Sequence, residues 1–174
     1  MANKEAALAA GVRQMKPKRV HNFGTYFVST QTWGRRTLFR VDELAKLMVS
    51  TLYEYRTRRS YLLHDFVVMP DHLHIIFTPR GITLERAMQF IKGGYSYAVG
   101  QTGRTNLEVW QPGFTDHRIR DHSDYLQHRK YIHENPVHAG LCSRPEAYVY
   151  SSANPVYELD EYVPVQRSAE ALSG

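Results

Sequence analysis

Stretches of alternating apolar and polar side chains predict the strands of this chain. Residues 21–32 alternate in this way, which is the two-residue period of a strand with one buried face. Tyr61–Met69 and Leu73–Thr78 are two further runs of apolar, aromatic and β-branched residues, and a turn at Pro70-Asp71 separates them. Because so short a connection joins neighbouring strands through a tight turn, we expect an antiparallel hairpin here.

Apolar residues recur every three or four positions in two other stretches, and this spacing predicts amphipathic helices. We expect the first helix to begin with Asp42 as its N-cap and to end in a basic cluster at residues 56–59. The second helix follows Thr83, whose hydroxyl suits an N-cap. Gly93 and Gly94 lie near the end of this second pattern, where we expect them to loosen the helix.

A short fourth strand and a third helix complete the predicted elements. The strand is expected between residues 107 and 119, and the helix after it is capped by Asp121 or Ser123. The helix should run to about Asn135, because Pro136 cannot continue the backbone hydrogen bonds of a helix.

The predicted order of elements is β-α-β-β-α-β-α, which indicates an α+β domain. Its first six members follow the ferredoxin-like (split βαβ) plan, in which two helices cover one face of an antiparallel sheet. The last helix, which carries Tyr131, is then an addition on the C-terminal side. We expect a flexible basic arm over residues 1–20, a folded domain over 21–145 and an irregular tail over 146–174.

The composition narrows the class of protein without identifying it. The chain has 174 residues, enough for one domain with a core, and its 22 Lys and Arg against 17 Asp and Glu give a formal charge of +5. A positive balance favours a polyanionic partner, although a solubilising surface charge has the same composition. Cys142 is the single cysteine, so an internal disulfide and a cysteine zinc cluster are excluded, and a cytoplasmic location is expected. No apolar run reaches the roughly 18 residues of a membrane span.

His72 and His74 form the most informative pair in the sequence. Residues two apart on a strand point to the same face, so both imidazoles project from the sheet face opposite the helices. Such a pair is half of a divalent-metal site, or simply a hydrogen-bonded pair. A site with few neutral ligands and open positions suits Mg²⁺ or Mn²⁺, which also bind phosphate oxygens, and zinc stays open because imidazole suits it. Asp71 either orients His72 or completes the turn.

The predicted third helix brings two further groups together. Tyr131 and Asn135 are four residues apart and share an edge of the helix, with His128 close by. One helix can therefore present a phenol nucleophile and an amide oxygen, with Arg129 and Lys130 placed to hold a sugar–phosphate backbone. A phenol has a pKa near 10 and needs help from a cation at neutral pH. With 12 tyrosines in the chain, a packing role for Tyr131 is the alternative.

Other residues are candidates for contact with nucleic acid. The cations that we expect at phosphate groups, each with a solvated side chain as the alternative, are Arg35, Arg36, Lys92, Arg118 and Arg120. Tyr95 and Tyr97 can stack on unpaired bases, although Tyr95 falls on the buried face of its helix.

Several motifs resemble those of one family. Val67–His74 resembles the His–hydrophobic–His signature of the HUH single-strand nucleases. Tyr131–Leu141 resembles the tyrosine helix and following turn of the REP-associated tyrosine transposases, which are domesticated relatives of the one-tyrosine insertion-sequence transposases. Further matching segments extend the resemblance from Thr25 to Ser152: Leu38-Phe39, Trp110-Gln111, Asp116-His117-Arg118 and Tyr150-Ser151-Ser152.

The resemblance implies a specific chemistry for the domain at residues 21–145. Proteins of this kind bind hairpin or single-stranded DNA and use Mg²⁺ or Mn²⁺, and their tyrosine attacks a phosphate to leave a 5′-phosphotyrosine and a free 3′-OH. Carried over, Tyr131 is the nucleophile, His72 and His74 are metal ligands, and Asn135 is the third ligand. The insertion-sequence relatives have glutamine at the last position, so asparagine there is one methylene shorter.

The resemblance leaves the assembly and two other functions open. The insertion-sequence relatives exchange the tyrosine helix within a dimer and the REP-associated branch need not, so a monomer or a homodimer is expected. One alternative function is a non-catalytic single-strand-binding module with an RRM-like sheet, in which the histidines only stack or hydrogen-bond. A replication or conjugation nicking enzyme with the same chemistry is another, disfavoured because such enzymes usually carry larger domains.

Overall fold

The computed structural model describes residues 24–104 and 108–164. The predicted basic arm and the end of the predicted tail, 165–174, lie outside the described residues. The described part contains four strands and three α-helices in the predicted order: β1 (Tyr26–Gln31), α1 (Asp42–Thr57), β2 (Tyr61–Met69), β3 (His72–Pro79), α2 (Leu84–Gln101), β4 (Thr115–Arg118) and α3 (His122–His138).

The strands form one antiparallel sheet in the order β2-β3-β1-β4. β1 therefore lies between β3 and β4, which is the interleaved arrangement of the split βαβ plan, and the predicted fold class is confirmed. α1 and α2 pack against one face, where residues such as Leu44, Ile91 and Val28 are fully buried in one core cluster. α3 packs against the other face, where Ile132 joins Ile76 in a second, smaller cluster.

The hairpin between β2 and β3 has the predicted two-residue turn, with Met69 paired to His72 across it. β3 starts one residue earlier than predicted, so His72 and His74 both belong to the strand itself and pair with β1 residues Gln31 and Ser29. Because both residues lie in the paired part of an ordered strand, the backbone fixes the direction in which their side chains project.

Two details of the first helices differ from the predictions. Thr83 caps α2 as expected, but the helix continues without a break through Gly93 and Gly94. A Cβ at Gly94 would lie 2.5 Å from the Tyr55 ring, so this glycine lets α1 and α2 approach closely and does not loosen the helix. Asp42 is the first residue of α1 and not its cap, since Val41 holds the cap position, and the Asp42 carboxylate instead pairs with Lys46 at 2.6 Å, one turn further on.

α3 begins as predicted, with the Asp121 side chain accepting a hydrogen bond from the backbone N–H of Asp124. The predicted end was wrong, because the helix passes through Pro136 and stops at His138. A proline so close to the end removes a single hydrogen bond to the preceding turn. The end is instead fixed by Gly140, which has φ +69° and donates to the carbonyl of Val137, while Leu141 donates to that of Pro136.

The last strand and the tail complete the sheet at its two edges. Trp110 makes only an isolated bridge to Thr32, so the fourth strand lies in the second half of the predicted window. The described part of the tail runs along the outer edge of β2, where the N–H of Val68 donates to the carbonyl of Tyr150 and the N–H of Ser152 donates to that of Phe66. The tail therefore covers a strand edge that would otherwise be open. None of the described helices is long and apolar enough to cross a membrane.

Candidate active site

A cavity of about 390 Å³ lies between α3 and the sheet face opposite α1 and α2. It is lined from three elements: Phe27 and Ser29 of β1, His74 of β3, and Gln127, His128 and Tyr131 of α3. The structure therefore brings the predicted nucleophile and one of the predicted metal ligands to a single place. We refer to this space as the active-site cavity.

The two histidines of β3 lie side by side at this cavity. Their ring centroids are 4.7 Å apart and the rings are nearly perpendicular. His74 is 5% exposed, and burial, together with the neighbouring His72, lowers the pKa of His74 to about 3. His74 is thus a neutral imidazole at physiological pH, which is the form that binds a metal ion.

His72 is held by a chain of polar contacts. Its Nδ1 donates to Oδ1 of Asp71 at 2.6 Å, and the other carboxylate oxygen accepts from Nε of Arg35 at 3.0 Å. Burial alone would raise the pKa of Asp71, but the hydrogen bonds from His72 and Arg35 outweigh it and lower that pKa. Asp71 therefore orients His72 and leaves Nε2 as the nitrogen that can bind a cation.

Tyr131 places its hydroxyl 3.5 Å from Nε2 of His74. Its ring meets those of His74 and Phe27 edge-on, with centroids 5.2 and 5.9 Å away, and the residue is 48% exposed. The hydroxyl is thus both positioned and accessible. The other nitrogen of His74, Nδ1, is buried and has no hydrogen-bond partner in the described part of the chain. A buried polar atom without a partner is costly, and a cation bound at Nδ1 itself would supply that partner, whereas Nε2 faces Tyr131.

Asn135 follows Tyr131 by one turn of α3 and is half-buried. Within residues 24–104 and 108–164, its side-chain amide makes no hydrogen bond, so the amide oxygen is available to a ligand. Its predicted role as a third metal ligand stays a prediction.

Asp65 holds α3 against the sheet, and it was missed in the sequence. Its carboxyl group is fully buried and accepts hydrogen bonds from the hydroxyl of Tyr125 at 2.7 Å, Nε2 of His133 at 2.8 Å and the hydroxyl of Ser152 at 3.1 Å. A β-bulge after Leu63 turns Asp65 toward α3. The available signal was the pair of polar residues at positions 64 and 65 in an otherwise apolar strand.

A second group of metal-binding residue types lies beside the active-site cavity. His117, Asp124 and His128 offer ligand atoms that are all within 4.8 Å of one another. Asp124 is almost completely buried and accepts from Nε2 of His117 and from both the backbone N–H and Nε of Arg120, each at 2.9 Å. Burial alone would raise the pKa of Asp124, but the bonds from Arg120 and His117 lower it well below its usual range. From the sequence, His128 was predicted only to lie close to Tyr131.

Most of the predicted phosphate contacts are engaged within the protein. Arg35 binds Asp71, Arg36 donates to the carbonyls of Trp33 and Glu108, and Arg120 binds Asp124. Lys92 donates to two loop carbonyls on its own side of the sheet. Tyr95 is buried, as expected from its place on the helix, and Tyr97 is 71% exposed.

Three predicted phosphate contacts keep exposed cationic groups. Arg118 is exposed on β4, the strand that carries His117. Arg129 and Lys130 lie beside Tyr131 on α3, and their side chains are 47% and 73% exposed. Their nearest recorded acidic partners, Asp65 and Glu134, are 3.7 and 3.8 Å away, which leaves both cations able to contact an anion.

Comparison with known proteins gives results of three kinds. A family model described as "Transposase IS200 like" matches residues 24–135, a span that contains His72, His74, Tyr131 and Asn135. A REP-associated tyrosine transposase of Escherichia coli (strain K12) is 28% identical over 131 residues, which is 74% of this chain and 76% of that protein. The structure of a REP-associated tyrosine transposase bound to a REP hairpin superimposes with a TM-score of 0.67 at 25% identity, covering 89% of this chain and 95% of that chain.

Proposed function

Because the chain belongs to the IS200-like transposase family, we propose that it binds hairpin or single-stranded DNA and cleaves and rejoins one strand with Tyr131 as the nucleophile. The observation that carries this proposal is the Tyr131 hydroxyl, exposed to the active-site cavity and 3.5 Å from Nε2 of His74. The family consists of DNA-cleaving enzymes, which favours an enzyme over a binding module with an RRM-like sheet. The similar structure bound to a REP hairpin supports a DNA hairpin as the substrate.

The proposed reaction is an exchange of two phosphate ester bonds. The Tyr131 oxygen attacks the scissile phosphorus, the bond from phosphorus to the 3′ oxygen breaks, and the products are a 5′-phosphotyrosine and a free 3′-OH. Attack by a 3′-OH on the phosphotyrosine reverses the exchange and rejoins the strand. Asp65 supports this chemistry by fixing α3, because a nucleophile displaced by about 1 Å can lose about a hundredfold in rate.

We further propose that His72 and His74 hold Mg²⁺ or Mn²⁺, with the amide oxygen of Asn135 as third ligand. Neutral His74, with a buried nitrogen that lacks a partner, and His72, oriented by Asp71, are suited to this role. When bound, the ion would polarise the scissile phosphate and stabilise the charge that develops on it. Because two imidazoles and one amide are few ligands, positions remain for phosphate oxygens.

The competing metal site consists of His117, Asp124 and His128. The hydrogen bonds of Asp124 argue against a catalytic metal ion at this site. The guanidinium of Arg120 is already 2.9 Å from Oδ2 of Asp124 and would lie beside any bound cation. Nδ1 of His128 is also engaged, donating to the backbone carbonyl of Asp124 at 2.8 Å. We therefore assign the catalytic ion to the histidines of β3.

Arg129 and Lys130 are proposed to bind the DNA backbone beside the scissile phosphate. Both are exposed and belong to the same turn of α3 as the nucleophile, so we propose that their long side chains reach phosphates of a strand held at Tyr131. Contacts of this kind position the strand without recognising its sequence.

Incubation with a labelled hairpin oligonucleotide and Mn²⁺ tests the function. Wild-type protein should form a covalent adduct that survives denaturation, Tyr131→Phe should form none, and EDTA should prevent it. The matched control is Tyr97→Phe, which changes an exposed tyrosine on α2 and should leave the adduct unchanged. Absence of an adduct with wild type, or its persistence in Tyr131→Phe, would refute the assignment.

A further inference from the structure

A second cavity, of about 290 Å³, adjoins the active-site cavity along β1. Ser29 lines both cavities, and the pairing of β1 with β4 ends at the pair Ser29–Thr115. Beyond that pair, the chain leaves the sheet and rejoins β1 only at Gln111, whose N–H donates to the carbonyl of Gln31 at 2.9 Å. The space enclosed between β1 and residues 111–114 is named here the base cavity.

The side chains that line the base cavity are all uncharged, and they comprise hydrogen-bonding groups, one aromatic ring and Pro112. Gln31 and Gln111 carry amides, Ser29 and Thr115 carry hydroxyls, and Phe114 provides an apolar wall. The Oε1 of Gln111 accepts from the N–H of Gly34 at a long 3.4 Å, and its NH₂ group has no recorded partner within residues 24–104 and 108–164. A phosphate or a metal ion would find no opposite charge here.

Thr30 provides an independent indication that the cavity takes a polar ligand. This residue also lines the cavity, it is 2% exposed, and its hydroxyl has no hydrogen-bond partner in the described chain. Buried polar atoms are nearly always paired, so an unpaired one at a cavity wall indicates a missing partner.

Lys92 holds the outer wall of the base cavity in place. Its Nζ donates to the carbonyls of Gln111 at 2.9 Å and Gly113 at 2.6 Å, and the indole N–H of Trp110 donates to the Lys92 carbonyl at 3.0 Å. The wall is therefore fixed at three points before any ligand binds, which lowers the entropic cost of recognition.

We propose that the base cavity binds one unpaired nucleobase next to the scissile phosphate and recognises it through the amide of Gln111. The volume is just below the range of about 300–1,000 Å³ usual for ligand pockets, which suits a single base. Adenine is the expected base, because an amide can accept from its N6 and donate to its N7 at the same time. The proposal rests on the proposed function for its substrate, and it adds sequence recognition to a site whose other contacts are with phosphate.

The test uses Tyr131→Phe protein, so that binding is measured without cleavage. The probes are labelled hairpin oligonucleotides with a short single-stranded extension, in which each extension position carries each of the four bases in turn. At one position, adenine should bind on the order of tenfold more tightly than the other bases. Gln111→Leu in the same background should abolish that preference, whereas Gln89→Leu, at an exposed position on α2, should retain it.

The outcomes separate the two proposals. Equal affinity for all bases at every position, or an undiminished preference in Gln111→Leu, would overturn the base cavity and leave the cleavage proposal standing. Failure to bind any hairpin would overturn both. If the protein prefers one base but the wild type forms no covalent adduct, the result would support the base cavity and refute the proposal of strand cleavage.

Discussion

The hydroxyl of Tyr131 lies 3.5 Å from Nε2 of His74, although the two residues are 57 positions apart in the sequence. β3 fixes the histidine and α3 fixes the tyrosine, so the distance depends on how α3 is seated on the sheet. Ile132 supplies an apolar contact, and Asp65 supplies the polar ones. The geometry of the proposed active site therefore depends on the contacts that hold α3 on the sheet.

Replacing Asp65 should disturb both stability and cleavage. Asp65→Ala leaves three donors, on Tyr125, His133 and Ser152, without their acceptor, and each loss costs about 1–3 kcal/mol. We expect the free energy of unfolding to fall by at least about 3 kcal/mol in urea denaturation, and the adduct yield to fall with it. Tyr125→Phe, which removes one donor, should cost about 1 kcal/mol. Wild-type stability in Asp65→Ala would contradict the role given to this residue.

Replacing Asp71 should weaken metal binding more than folding. Asp71→Asn weakens the contact that orients His72, and changes of this kind typically cost about 10–100-fold in metal affinity or activity. The Mn²⁺ concentration that gives half-maximal adduct should rise by that order. Arg35→Met, which acts through Asp71, should produce a smaller rise. Arg58→Met, which loses an exposed pair with Glu54 and a contact over the Tyr55 ring, should produce none. An unchanged Mn²⁺ requirement in Asp71→Asn would refute this arrangement.

Sequence periodicity was sufficient to predict how the central residues of the candidate site are placed relative to one another. The two-residue period of β3 placed His72 and His74 on one face, and helical spacing placed Asn135 one turn after Tyr131. Both inferences hold because they concern residues within a single regular element. The family resemblance then distinguished Tyr131 from the other tyrosines, which no spacing in this chain could do.

The positions and contacts of the residues that support the site could not be predicted from sequence periodicity. The bulge after Leu63 shifts the alternation of β2, so the direction of Asp65 could not be read from the strand pattern. Lys92 lies on the polar face of α2, where a pattern predicts solvent, but the loop containing Gln111 passes over its ammonium group. The end of α3 was predicted from the missing N–H of Pro136 alone. It is instead fixed four residues later by Gly140.

The ion pair between Arg56 and Asp160 should make stability fall in acid. The hydrogen bonds from Arg56, at 2.8 and 3.0 Å, lower the pKa of Asp160 below its ordinary value of 3.8. A carboxyl group with a lowered pKa in the folded state adds stability above the unfolded pKa and loses it as the pH falls through the folded value. Asp160→Asn should therefore cost about 1.5–3 kcal/mol at pH 7, and this difference from wild type should shrink below about pH 4.

Urea denaturation at pH 7, 4 and 3 measures this difference directly. The matched control is Glu54→Gln, because the pair of Glu54 with Arg58 is exposed and should contribute little at any of these pH values. A cost for Asp160→Asn that stays constant from pH 7 to pH 3 would show that the charge of Asp160 is not its source.

The two candidate metal sites should respond oppositely to substitution of their histidines. His72→Gln and His74→Gln should each abolish the Mn²⁺-dependent adduct, and each should reduce Mn²⁺ bound in the presence of hairpin DNA, measured by the electron paramagnetic resonance of free Mn²⁺. His117→Gln and His128→Gln should keep both, because their ring nitrogens bond to Asp124 and serve the start of α3. Binding measured in Tyr131→Phe protein makes this readout independent of cleavage. Loss of Mn²⁺ binding in His117→Gln, with binding retained in His74→Gln, would move the metal to the other site.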